Sequence, residues 1–187
     1  MPDKIRIMHA KEVIENIMTR TSVRSYENRP VEKEKIITLL KAGMAAPSAV
    51  DRRPWYFYVV TDRQKLAAIK TATPNAAMAA KAPLAIIVCG DMNKALTGND
   101  HELWAQDASA ATENILLAAH ALGLGAVWTA TYPVEERVEA ITRLFDIPQH
   151  LIPFNTIVIG YPKTEGHPKD KWNESDVNWD NYEDTNK

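Results

Sequence analysis

The chain carries a single cysteine, Cys89, in 187 residues. One thiol suits a reducing compartment, and Cys89 sits inside the apolar run "LAIIVC", so it reads as a small buried hydrophobe and not as a reactive nucleophile. That run, 84–89, is far too short to cross a bilayer, which takes about 20 apolar residues. No membrane span is expected. The opening "MPDKIRIMHAKEVIENI" has no apolar secretory segment, so the expected location is the cytoplasm. A formal net charge of −2 removes the basic footprint of a nucleic-acid binder. Any bound anion must be met by positive charge gathered locally.

Catalytic signatures are scarce too. "GLGAVW" begins like a dinucleotide fingerprint but has Trp128 where a third glycine belongs, and it leads into a strand. There is no Walker-type glycine-rich loop, and none of the five serines lies in a G-x-S-x-G turn. His9, His101, His120, His150 and His167 are scattered without metal-ligand spacing. An enzyme with this inventory must borrow its chemistry from a cofactor and supply position and charge itself.

What is present is an ordinary globular balance, with 45% apolar and 25% charged residues, long enough for one domain with a real core. Helical spacing predicts helices over 9–20, 31–43, 62–72, 101–123 and 133–145, with Gly43 and Gly123 as stops and Asp62 as an N-cap. Strands are predicted at "WYFYVVT", "PLAIIVCGD", "GAVWTATY" and "FNTIVIGYP", the second covered on both faces. The small residues in the middle of the 101–123 helix suit close helix packing, in the core or between subunits. Residues 162–187 are polar yet contain Trp172, Trp179 and Tyr182, so they are expected to dock on the body or on a partner subunit. The body proper is expected to be 1–161.

Three stretches exceed what local structure requires. "RTSVRSY", 20–26, offers Arg20 and Arg24 with hydroxyls between them, a reasonable phosphate grip. "KAGMAAPSAVDRRPWYFYVV", 41–60, ends a helix, passes through two prolines and charges of both signs, and enters a strand at once. A plain connection takes about 4 to 6 residues, so this loop is built to hold something. "HPKDKW" places Lys169 and Lys171 two apart, facing one way in extended chain.

In this order, and together with "QDASAATENILLAAHALGLGAVW" and "IGYPKTEGHPKDKW", these stretches resemble the nitroreductase family of FMN-dependent oxidoreductases over nearly the whole chain. The resemblance implies an α+β fold, a mainly antiparallel central sheet flanked by helices, and a homodimer with FMN bound between subunits. It implies that Arg20, Ser22 and Arg24 hold the phosphate side and flavin edge. Pro47, Ser48, Ala49, Asp51 and Arg53 then line the ring and ribityl chain, Trp128, Thr129 and Ala130 lie along the ring from the other side, and Lys169 and Lys171 complete the phosphate site. The implied activity takes hydride from NADH or NADPH and reduces a small-molecule acceptor such as a nitroaromatic or quinone, with no side-chain nucleophile. A flavin storage or sensing protein, a specialist in another reduction such as dehalogenation, and a purely structural dimer are the alternatives. Family members commonly carry Asn and Gln where this chain has Asp51 and Arg53, often Gly near Ala130, and Arg at Lys171. These departures bear on the tuning of the ring.

Overall fold

The computed structural model describes residues 2–180, with side chains from residue 10 onward. Its elements run α1 (Pro2–Thr19), α2 (Lys33–Met44), β1 (Trp55–Val60), α3 (Arg63–Ala72), β2 (Leu84–Asp91), α4 (Leu103–Ala121), β3 (Gly125–Ala130), α5 (Glu135–Phe145) and β4 (Leu151–Gly160). Short 3-10 turns lie between them, the longest at Pro74–Lys81. The expected helices and strands are all found. The Pro74–Lys81 turn is an addition that periodicity did not announce, because a 3-10 segment repeats every three residues and carries no 3.6-residue stripe.

The four strands form one antiparallel sheet in the order β1-β2-β4-β3. β2 is interior and every residue in it is buried, as its unbroken apolar sequence predicts. Alternation sends Ile86 and Val88 to one face, where they meet Leu39 of α2 and Trp104, Ala108 and Ile115 of α4. Ala85, Ile87 and Cys89 point the other way, onto Leu66 and Ile69 of α3 and Ile141 of α5. The molecule is therefore three layers thick, with a core on each side of the sheet. Truncating a fully buried member such as Ile115 to Ala is expected to cost about 2–5 kcal/mol.

Some helix ends follow local signals and others do not: the starts of α2, α4 and α5 have no side-chain cap. Asp62 accepts the Lys65 N–H at 2.9 Å, the cap that its position predicted. Lys35 of α2 donates to the Leu122 carbonyl at 2.9 Å, which satisfies the end of α4 with a cation. Gly43 is not the stop that sequence suggested: it lies inside α2, which runs to Met44. A Cβ at Gly43 would come within 2.9 Å of Ile115 Cδ1, so its value lies in letting α2 approach α4.

Two surfaces of the single chain stay uncovered. The α1 stripe of Val13, Ile14, Ile17 and Met18 has the spacing of one helical face, yet each residue is 46–64% exposed. Trp172 and Trp179 are 70% and 84% exposed, so the described part of the tail does not bury its indoles on its own body; Tyr182 lies outside the described residues.

Candidate functional site

After α1 the chain runs extended beside the corner of the sheet. Ser22 bridges to Ala126 and Tyr26 to Pro162, with the Val23 N–H on the Ala126 carbonyl at 3.0 Å. Tyr26 anchors this path: its buried hydroxyl faces the carbonyls of Val23 at 2.5 Å and Val158 at 2.9 Å. The anchoring leaves Ser22 and Arg24 facing outward, both exposed. Among the described residues Arg24 hydrogen-bonds the Ser22 carbonyl alone, at a long 3.5 Å. Arg20 turns inward, is 19% exposed, and lies 3.6 Å from Glu113 of α4.

A cavity of about 310 Å³ opens here, bounded by Arg20, Thr21, His120, Gly125, Gly166 and Pro168 among others. The tail thus returns to the segment after α1, and Lys169 follows directly on the cavity wall. Gly166 makes that approach possible, because any Cβ there would collide with the Thr21 hydroxyl. Among the described residues neither Lys169 nor Lys171 has a carboxylate partner. The wall itself carries Arg20, spent on Glu113, with Glu165 and the Thr19 and Thr21 hydroxyls; the neighbouring Arg24, Lys169 and Lys171 are cations of the kind a phosphate takes.

The loop 47–53 is shaped by several interactions besides the Arg52 N–H on the Ala49 carbonyl at 3.1 Å. The Arg53 N–H donates to Ser48 Oγ at 2.9 Å, and the Asp51 N–H to the Ser48 carbonyl at 3.1 Å. Arg53 Nε and Nη2 grip the two Asp51 carboxylate oxygens at 2.7 and 2.6 Å. Lastly, the Ala49 N–H donates to Asp107 Oδ1 of α4 at 2.9 Å. The Arg53 hydrogen bonds hold the Asp51 carboxyl below its usual range, and Asp51 in turn raises Arg53. Both side chains are exposed, so their pairing neutralises the loop locally without contributing much to stability. Val50, Asp51 and Arg53 have φ of 51°, 53° and 51°, a left-handed backbone normally left to glycine.

At the end of β3 the three expected ring-lining residues differ in what they offer. Thr129 is buried and spends its hydroxyl on the Thr156 carbonyl at 2.7 Å. Trp128 is half-buried with its ring 5.7 Å from that of Phe154. Ala130 is exposed, and its carbonyl collects Asn75 Nδ2 and Arg137 Nη1, each at 3.2 Å. Asn75, Arg137, Asp107 and Gly166 were not singled out from sequence. Asn75 sits on the unannounced 3-10 turn, and the other three lie in stretches whose helical or tail character explained them already.

Besides the end of β3, the expected residues fall into two groups in one chain. Arg20 and the tail at Gly166 and Pro168 border one cavity, near the residue 116–120 end of α4, while Ser22 and Arg24 lie beside it in the chain and face outward. The 47–53 loop meets α4 at Asp107. Positions 107 and 113 are about 9 Å apart along a helix and about 120° apart around it, so the groups touch different faces.

Comparison with known proteins bears on this arrangement. The model described as "Nitroreductase family" matches residues 17–77 and 70–161, well over half the chain. A protein of Methanothermobacter thermautotrophicus, provisionally named NADH dehydrogenase/NAD(P)H nitroreductase, is 53% identical over 152 residues, 81% of this chain and 78% of its own. A crystal structure of a similarly named protein from Parabacteroides distasonis superposes with a TM-score of 0.86 at 46% identity, covering 91% of this chain and 99% of its own. An FMN-dependent nitroreductase from Clostridium difficile superposes with a TM-score of 0.83 at 30% identity, covering 90% of this chain and 99% of its own.

Proposed function

The chain belongs to the nitroreductase family, and on that premise we propose that it is an FMN-dependent oxidoreductase that takes hydride from NADH or NADPH and reduces nitroaromatics, quinones or similar electrophiles. The observation that carries the reading is that Arg24, Lys169 and Lys171, which have no carboxylate partner among the described residues, flank in sequence the Arg20–Thr21 and Gly166–Pro168 walls of the cavity where the tail returns to the end of α1. A phosphate monoester is the ligand that such a group of cations would bind. These residues fit FMN.

Bound FMN supplies the hydride chemistry, and no side chain is needed as a nucleophile. The chain contributes the rest. Arg20, Arg24, Lys169 and Lys171 hold the phosphate, with Ser22 toward the flavin edge. Pro47, Ser48, Ala49, Asp51 and Arg53 shape the seat of the ring and ribityl chain. The exposed Ala130, backed by Asn75 and Arg137, closes the opposite side with Trp128 and Thr129. Ser48 accepts from Arg53 N–H, so its own hydroxyl proton stays available to a ligand.

We assign the two halves to two copies of the chain, in a cytoplasmic homodimer. The separation of the halves on different faces of α4 supports this, as do the uncovered α1 stripe and the exposed Trp172 and Trp179. The tail from 162 lies along its own body as far as Pro168, and the part beyond, with Trp172 and Trp179, reaches the partner. No helix among the described residues is long and apolar enough to cross a membrane.

The test is reconstitution with FMN, then steady-state oxidation of NADH and NADPH with a nitroaromatic and a quinone, alongside sedimentation. Acceptor-dependent turnover by a dimer is expected. Tight FMN binding without turnover points instead to storage, and a protein that ignores FMN overturns the reading.

A further inference from the structure

Asp107 is a charged residue in an apolar place. It lies on α4, one position before Ala108 of the core, and only 7% of its surface is exposed. A carboxylate held there requires a hydrogen-bond donor, and the donor recorded is the Ala49 N–H at 2.9 Å. Among the described residues, Asp107 is the one side chain outside 47–54 that hydrogen-bonds the backbone of this loop.

The loop needs such a tie. Val50 is β-branched and sits at φ 51°, ψ 29°, followed by Asp51 and Arg53 in the same left-handed region. Such residues keep this conformation only when their surroundings over-determine it. Packing does not hold Val50, whose side chain is 80% exposed. The contacts of Ser48 with Arg53 and of Asp51 with Arg53 lie within the loop, so they shape it without attaching it to the body.

We infer that Asp107 is a positioning residue, which fastens the strained loop to α4 through the Ala49 N–H and so presets the flavin seat. This rests on the proposed FMN site for its consequence, but the fastening itself is a property of the flavin-free chain. The acceptor geometry is what acts, so an amide of the same shape can replace the carboxylate.

Asp107→Ala and Asp107→Asn separate the possibilities. Flavin titration by fluorescence should find FMN bound about 10- to 100-fold more weakly by Asp107→Ala, which leaves the Ala49 N–H without its acceptor, and near wild-type affinity for Asp107→Asn, which keeps one. In flavin-free protein, trypsin should cleave after Arg52 several-fold faster in Asp107→Ala and at the wild-type rate in Asp107→Asn. Unchanged cleavage and affinity in Asp107→Ala overturn the assignment, and so does an Asp107→Asn variant as impaired as Asp107→Ala. If wild-type protein binds no FMN, the functional reading fails while the cleavage comparison still decides this one. Should Asp107→Ala not fold, hydrogen exchange on the wild type serves. The Ala49 amide should be protected well beyond that of Val50, and equal rates refute the fastening.

Discussion

Replacing Tyr26 by Phe removes one oxygen at the joint that carries the proposed phosphate-binding segment. The hydroxyl is shared between the carbonyls of Val23 and Val158 at 2.5 and 2.9 Å, and the residue is 7% exposed. Removing the hydroxyl while its acceptor carbonyls stay costs about 1–3 kcal/mol. A net destabilisation of that size is therefore expected at pH 8, read from urea unfolding. The deficit must also depend on pH. Burial pushes the Tyr26 phenol well above its ordinary value of 10.0, against a smaller downward pull from Arg24. The unfolded chain releases this proton near pH 10 while the folded chain still holds it, so the contribution of Tyr26 is complete below pH 10 and declines as the pH rises through it. By pH 11 the wild type should have lost on the order of 1 kcal/mol through this one group, a loss that Tyr26→Phe cannot suffer. The gap between the two proteins should narrow by that amount between pH 8 and pH 11. A gap that stays constant, or a Phe variant as stable as wild type at pH 8, refutes the account of Tyr26 as a buried, hydrogen-bonded joint.

Other outcomes follow from the same structure. Lys169→Ala and Lys171→Ala should each weaken FMN by about 10-fold while leaving riboflavin, which lacks the phosphate, nearly unaffected; equal losses for both ligands in a fluorescence titration contradict the phosphate assignment. Asp51→Asn frees the Arg53 guanidinium and should raise the FMN midpoint potential, whereas Arg53→Gln frees the carboxylate and should lower it, as measured by anaerobic dye titration; shifts of one sign in both variants mean that the pair faces away from the ring. Cys89 is wholly buried and its thiol is pushed up to about 12, so an aromatic disulfide reagent should react with it only after unfolding; prompt labelling of native protein would place it in an open site.

Much of this molecule is local information. The aromatic and β-branched run 55–60, the apolar run 84–91 and the stripe of Trp104, Ala108, Ala111 and Ile115 each declare their structure through residue type and period, because backbone preference and one-sided burial act over a few residues. The clustering of arginines, lysines and hydroxyls in 20–26 and 167–172 was legible for the same reason. Whatever depends on a distant partner was not. Gly43 resembled a helix stop until Ile115, far along the chain, occupied the space beside it. Asp107 read as one polar position in a helix, and nothing near it in sequence says that Ala49 will need its oxygen. Asn75 and Arg137 meet only because β3 ends between the turn and the helix that carry them. The left-handed backbone at Val50, Asp51 and Arg53 was hidden most deeply, since no glycine marks it. Local preference argues against that conformation, and only contacts made by the folded chain can hold it there.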